Sequence, residues 1–398
     1  MTRRQFGMSA AALGAPLLLA VRTPTALAAT TAGDSGGPYA ERAIAAYEAL
    51  QKQYYRASVH LYAETSPAQP GNAYSYVWPF SQAMAATLDV FGMPHLGGRY
   101  ASDVSDRVIG LASYWNPTPQ SSNPPSPPPS PGGYASYVMP PLGQGGDLFY
   151  DDNSWIGLAS LQQHLATGDA AALQRAEAIF TLLQYGWDTN PSHADPGGTF
   201  WEQGSGSHDR NTISNGPGAE IGARLTLLTK DPSYLGHAKQ MFDWANRYLR
   251  APNGLYWDHV DLQGNVQTTQ WSYNQGVMLG AAALLFQATG DRSYLAQAID
   301  IAGRSLAFYG AGGRYYTQSV IFDAIFFKNL LLLDSYAPDP RYRAALQGYA
   351  DALWQAVDPN SGLLALQPYQ PIDLLDQAGL VQVCALLAWS ASDYRNLC

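Results

Sequence analysis

Leu284-Leu285-Phe286-Gln287-Ala288-Thr289-Gly290-Asp291-Arg292-Ser293-Tyr294-Leu295 is the stretch that decides the fold. An apolar helix ends at Thr289-Gly290, Asp291 is placed to cap the next helix, and Tyr294 and Leu295 open that helix's inward face. The same grammar recurs three times: at Leu158-Ala159-Ser160-Leu161 through Thr167-Gly168-Asp169 to Ala176, at Leu225 through Asp231-Pro232-Ser233-Tyr234-Leu235, and at Leu331-Leu332-Leu333 through Asp339-Pro340-Arg341-Tyr342. Each unit reads as a helix hairpin. The aspartates at 169, 231, 291 and 339 repeat at about 60 residues twice and then at 48, an internal periodicity that points to a repeated helical architecture.

Working outward, helical patterns are expected near 39–57, 75–91, 98–115, 152–167, 170–185, 213–228, 232–250, 272–289, 292–308, 321–336, 339–356 and 374–391. Strand signals are short and confined to connections, as at Leu255-Tyr256-Trp257-Asp258 and around Val266-Gln267. Twelve antiparallel helices with alternating short and long connections predict an all-α chain, an (α/α)6 toroid in one domain whose long loops gather at one rim. An open solenoid is the rival arrangement. The irregular period and the lack of polar capping repeats favour closure.

Thr2-Arg3-Arg4-Gln5-Phe6, an Ala/Leu-rich run and Ala26-Leu27-Ala28 read as a secretory signal over residues 1–28, resembling the twin-arginine type. The run is shorter than the roughly 20 residues a membrane span needs. Removal of the signal takes Arg3, Arg4 and Arg22 with it and leaves 19 basic against 31 acidic residues, a net charge of −12. Such a chain repels a nucleic-acid backbone, and the expected product is a secreted monomer outside the cytoplasm. Charged residues make up only 13% and aromatics 12%, a surface suited to neutral hydroxyl-rich ligands that stack on rings. Two cysteines, Cys384 and Cys398, make no disulfide scaffold, though they could pair. Residues 117–131 hold eight prolines and four serines. Helical patterns of one series flank them, so about 116–134 is expected to loop out of the domain as an insertion.

After that insertion comes Asp147-Leu148-Phe149-Tyr150-Asp151-Asp152-Asn153-Ser154-Trp155-Ile156-Gly157-Leu158-Ala159. An aspartate at a helix start stabilises it by about 0.5–2 kcal/mol as a cap. One suffices for that, whereas two side by side repel unless a site uses both. Paired carboxyls are the equipment of glycoside hydrolysis, and adjacent acids push their ionisations apart. Spacing does not say which of the two takes which role.

The run Tyr150-Asp151-Asp152-Asn153-Ser154-Trp155 with Gly157-Leu158-Ala159 resembles the Asp-Asp motif of glycoside hydrolase family 76, the secreted endo-α-1,6-mannanases. Asp209-Arg210-Asn211-Thr212-Ile213-Ser214-Asn215-Gly216, Trp271-Ser272-Tyr273-Asn274-Gln275-Gly276 and Phe326-Phe327-Lys328-Asn329 resemble three further segments of that family, with Arg210 in place of Lys, Thr212 of Ala and Asn329 of Gly. The resemblance implies an (α/α)6 fold, retaining cleavage of an α-mannan, Asp151 as nucleophile and Asp152 as acid/base. Asn211, Asn215, Asn274 and Gln275 are amides suited to sugar hydroxyls, Trp155, Trp201, Trp271 and Tyr273 are candidate stacking rings, and Glu202 is the best third acid. Asp323 and Asp258-His259 are weaker rim candidates.

No cofactor or metal is expected, and no nucleotide, esterase or zinc-protease motif occurs. His193-x-Asp195 and His208-Asp209 read as loop residues rather than ligands. Two other readings stand beside the hydrolase: another glycan reaction on the same toroid, such as transglycosylation or uronide chemistry, and a non-catalytic carbohydrate-binding protein whose Asp pair only caps a helix.

Overall fold

Asp169, Asp231, Asp291 and Asp339 each accept a hydrogen bond from the backbone N–H two residues on, at 2.9, 2.8, 2.9 and 2.9 Å. Before the first three of these, the preceding helix ends at a left-handed residue, Gly168 and Gly290 at φ 74° and Lys230 at φ 63°, whereas the helix before Asp339 ends at right-handed Ser335. These local signals cut the chain into twelve α-helices among the described residues of a computed structural model, which are 37–398 apart from 95, 97, 125–128 and 368–369. The predicted leader at 1–28 lies outside them.

The helices are α1 (Pro38–Tyr54), α2 (Val77–Phe91), α3 (Ala101–Leu111), α4 (Tyr150–Thr167), α5 (Ala170–Tyr185), α6 (Thr212–Thr229), α7 (Ser233–Tyr248), α8 (Ser272–Thr289), α9 (Arg292–Gly310), α10 (Val320–Asp334), α11 (Pro340–Trp354) and α12 (Leu374–Ala388). The even-numbered helices pack in sequence, α2 on α4, α4 on α6, and so on to α12, which returns to α2. That contact closes the ring and excludes the open solenoid. The odd-numbered helices lie outside it, each against an inner partner. Because the chain alternates between the two layers, all six inner N-termini gather at one mouth.

The inner helices are buried nearly all round, and small residues let them meet. A Cβ on Gly276 of α8 would stand 2.7 Å from the Phe326 Cα of α10, and one on Gly379 of α12 would stand 3.0 Å from Ile321 N. At Gly276 every near atom is backbone, which cannot swing aside, whereas at Gly379 a Val320 methyl at 2.9 Å is the nearest. Gly276→Ala is therefore expected to cost about 1–3 kcal/mol by overpacking despite the better helix propensity of Ala, a loss that urea unfolding of the two proteins measures directly.

Strands are two residues long and join loops. Thr65-Ser66 pairs with Ile372-Asp373, tying the α1–α2 loop to the α11–α12 loop. Trp115-Asn116 pairs with Gly133-Tyr134, so the proline-rich segment leaves the ring and returns at one point. Arg210-Asn211, His259-Val260 and Val266-Gln267 form one three-stranded ribbon at the mouth. Cys384 and Cys398 are both unpaired, Cys384 being buried in α12.

Candidate active site

The fourth residue of four inner helices is an amide that grips an incoming loop. Asn153 accepts from Tyr134 N (2.8 Å) and donates to Tyr134 O (3.0 Å). Asn215 treats Thr199 in the same way (2.9 and 3.4 Å), and Gln275 does so with Tyr256 (2.7 and 3.0 Å). Gln377 accepts from Leu364 N (2.9 Å) and donates to Ala46 O (2.9 Å). Tyr134, Thr199, Tyr256 and Leu364 each lie in a β-bridge of their loop, while Ala46 belongs to α1. The device satisfies buried backbone groups that would otherwise each cost about 1–3 kcal/mol. The amides of Asn215 and Gln275, expected to meet a sugar, are thus engaged at both ends by backbone; they hold the rim rather than line it. Asn153 and Gln377 were missed, although their shared place in the helix repeat was a usable signal.

Asp151 and Asp152 occupy the first turn of α4, 3% and 1% exposed. The N-cap residue of α4 is Phe149, which makes no side-chain cap bond. The pair therefore does not occupy the N-cap position that Asp169, Asp291 and Asp339 take at their helices. Six inner N-termini bring backbone N–H groups and the positive ends of helix dipoles to this mouth. Alongside runs 200–203: Tyr150 N donates to Trp201 O (2.9 Å), Gln203 N to Leu148 O (2.8 Å), and Glu202 bridges Phe149. Glu202 is buried beside Phe149, the N-cap residue of the aspartates' helix, and half-buried Trp201 packs on Phe149 with ring centroids 4.9 Å apart.

Asn211 precedes α6, and Tyr273 and Asn274 lie in the first turn of α8, so the ring sets them beside α4 in that order. Tyr273 stacks on Phe322 at 4.0 Å, and Trp271 meets the same ring edge-on. Asn274 donates to Asp258 Oδ1 (3.3 Å). The Oδ1 atoms of Asn211 and Asn274 are buried and have no hydrogen-bond partner among the described residues. Trp155 is only 5% exposed, packs on Trp78 at 5.4 Å, and roofs a small cavity inside the ring.

Arg210 is fully buried, as a guanidinium can be when its donors are used. It binds Asp188 Oδ2 (2.9 Å) and the carbonyls of Asp195, Ala194 and Asp261 (3.0, 2.9 and 2.8 Å), clamping two rim loops together. His193 joins the same Asp188 at 2.9 Å. No group of three His, Cys, Asp or Glu side chains placed to hold a metal occurs among the described residues. Asp323 takes the fourth position of α10, where other inner helices carry an amide, and is buried beside Ser272 and Tyr349; burial pushes its carboxyl well above the usual range.

His259 stands 3.0 Å from Asp258 and 3.7 Å from Asp209. Burial disfavours its charge, but the bond to Asp258 and the charges of Asp209 and Asp258 outweigh that and raise its pKa above 6.5. The stabilisation is complete where the ring is charged in folded and unfolded chain alike, below the ordinary histidine value, and fades as pH rises through the elevated one. His259→Gln is accordingly expected to lower stability most near pH 6, with the deficit shrinking toward pH 8.5 in denaturant titrations at each pH.

Residues 39–391 match glycosyl hydrolase family 76. Mannan endo-1,6-alpha-mannosidase DCW1 of Candida glabrata is 30% identical over 199 residues, covering 46% of this chain and 42% of that protein. The chain thus spans less than half the length of the curated relatives it matches. A family 76 glycoside hydrolase from a bovine Bacteroides thetaiotaomicron strain superposes with TM-score 0.76 at 25% identity over 87% of this chain and 77% of that one. An inactive variant of an alpha-1,6-mannanase of Salegentibacter, changed at two consecutive aspartates and holding alpha-1,6-mannotriose, superposes with TM-score 0.70 at 21% identity over 88% and 99%.

Proposed function

This chain belongs to glycosyl hydrolase family 76, and from that premise we propose that it is an exported, cofactor-free, retaining glycoside hydrolase that cuts internal α-1,6 linkages of a mannan, with Asp151 as nucleophile and Asp152 as acid/base. The observation that carries the reading is a pair of consecutive buried carboxyls in the first turn of an inner helix, just inside its N-cap residue Phe149.

In the first step the Asp151 carboxylate attacks C1 of the mannosyl unit. The C1–O6 bond breaks, and Asp152 gives its proton to the departing O6. Water then adds to C1 of the resulting glycosyl ester, its proton passes to Asp152, and Asp151 leaves as carboxylate. The configuration at C1 is inverted twice and so retained. The acceptor oxygens of Asn211 and Asn274 suit sugar hydroxyls, whose donors would relieve two buried unsatisfied carbonyls. Trp201 and Tyr273 offer half-buried faces for stacking, and Glu202 adds an acceptor. The alpha-1,6-mannotriose held in complex by the Salegentibacter variant, and the name of the fungal relative, support the choice of linkage. No described helix is long and apolar enough to cross a membrane, and we propose that the protein acts outside the cytoplasm as a monomer.

Linear α-1,6-mannooligosaccharides of graded length test the reading. Mid-chain products from the longer members support it; release of single mannose units would replace endo with exo action, and unchanged substrate would defeat it.

A further inference from the structure

Asn123 sits in the proline-rich segment that loops out before the catalytic helix, and it is 2% exposed. Every polar atom of the residue is engaged. Its Nδ2 lies 3.1, 2.7 and 2.5 Å from the carbonyls of Glu202, Gly204 and Ser207, and its Oδ1 lies 2.8 Å from His208 Nδ1. Its backbone N–H donates to Gln203 O (3.1 Å), and its carbonyl accepts from Tyr150 OH (2.7 Å). One residue thus joins Tyr150, which precedes Asp151, to the loop that carries Glu202, its carbonyl holding the tyrosine and its side chain holding the loop.

That loop is poor in stiffness of its own. Two of its residues, Gly204 and Gly206, lose more backbone freedom on ordering than any other residue type would. It wraps closely, since a Cβ on Gly204 or Gly206 would come 2.9 or 2.7 Å from a Glu202 carboxylate oxygen. Ser122 N adds a second bond to Gln203 O (2.8 Å), and Gln203 Nε2 reaches Ser130 Oγ (2.5 Å), so the insertion holds the loop on both sides of Asn123.

We infer that the insertion is a buttress of the cleft and that Asn123 is its positioning residue, fixing the Glu202 loop against the start of α4 and so setting how a glycan is held on that side. The cleft's role as a glycan site rests on the reading above; the buttress itself does not. Asn123 acts through Glu202 and its loop and has no contact with the reacting atoms.

The test is hydrogen–deuterium exchange of the sugar-free protein, followed by kinetics on α-1,6-mannooligosaccharides, for wild type, Asn123→Ala and His208→Ala. Exchange in 199–209 is expected to accelerate at least ten-fold in Asn123→Ala while 258–268 stays unchanged. His208→Ala removes one contact of an exposed ring, folds readily, and is expected to loosen the same segment less. With substrate, Asn123→Ala is expected to lose about ten- to hundred-fold in kcat/KM, chiefly through KM, with an unaltered pH profile. Unchanged exchange in 199–209 in both variants, or acceleration spread evenly over the chain, overturns the buttress. Selective loosening without turnover of mannan by any of the three proteins supports the buttress and defeats the proposed substrate instead.

Discussion

Asp152→Asn is expected to lower turnover of linear α-1,6-mannan by about 10²–10⁴-fold, the usual contribution of a general acid and base, with the fold retained. The fold should survive because Asn matches Asp in size and the N-cap position of α4 belongs to Phe149 rather than to Asp152. An aryl mannoside with a good leaving group needs no proton from the protein, so the first step of Asp152→Asn on that substrate should be much less impaired. Asp151→Asn has no such rescue, since without the nucleophile neither substrate forms the glycosyl ester. Circular dichroism and the unfolding midpoint separate this from a capping role. A binding protein whose aspartates only cap a helix would show the reverse pattern, with lower stability and unchanged affinity for mannan.

Lys328→Met carries the largest expected effect on stability, about 3–5 kcal/mol. Lys328 Nζ lies 2.9 Å from Asp89 Oδ2 inside the ring, with both side chains almost wholly buried. Gln162 Nε2 donates to Asp89 Oδ1 at 2.7 Å. Burial pushes the Asp89 carboxyl up, and the Lys328 ammonium and Gln162 pull it back. Removing the cation strands the carboxylate in a low-dielectric interior, where it must take up a proton or admit water. Restoring balance with Lys328→Met/Asp89→Leu should recover most of the loss, because two apolar groups need no partners. Urea unfolding of both proteins measures this; equal destabilisation by the single and double changes would mean that packing rather than charge governs the site.

Much of this was legible because the signals were local. The Asp caps and the Gly or Lys that end the preceding helices act within a few residues, so the helix hairpins followed directly from Asp169, Asp231, Asp291 and Asp339. Ring closure was favoured by the irregular repeat and is established by the packing of α12 on α2. Asp151-Asp152 stood out because a cap needs one acid and the chain supplies two. The roles that depended on distant partners were not legible. Asn215 and Gln275 have the chemistry of sugar ligands, yet their partners are backbone groups 16 and 19 residues upstream. Trp155 looked like a platform and is packed on Trp78 of the neighbouring inner helix α2. Lys328 lay in a recognised segment without a visible purpose, since Asp89 is far away in the chain. Asn123 was hidden by its surroundings: a run of prolines announces no helix and no strand, and nothing local marks its one asparagine as the anchor of a loop about 80 residues later.

The central claim, that Asp151 and Asp152 cleave α-1,6-mannan with retention, is tested most directly by proton NMR of the first product formed from a linear α-1,6-mannooligosaccharide, recorded before mutarotation. The account predicts that the new reducing end appears first as the α anomer, in wild type and not in Asp151→Asn. A β anomer appearing first would mean direct attack by water and would contradict the role given to Asp151.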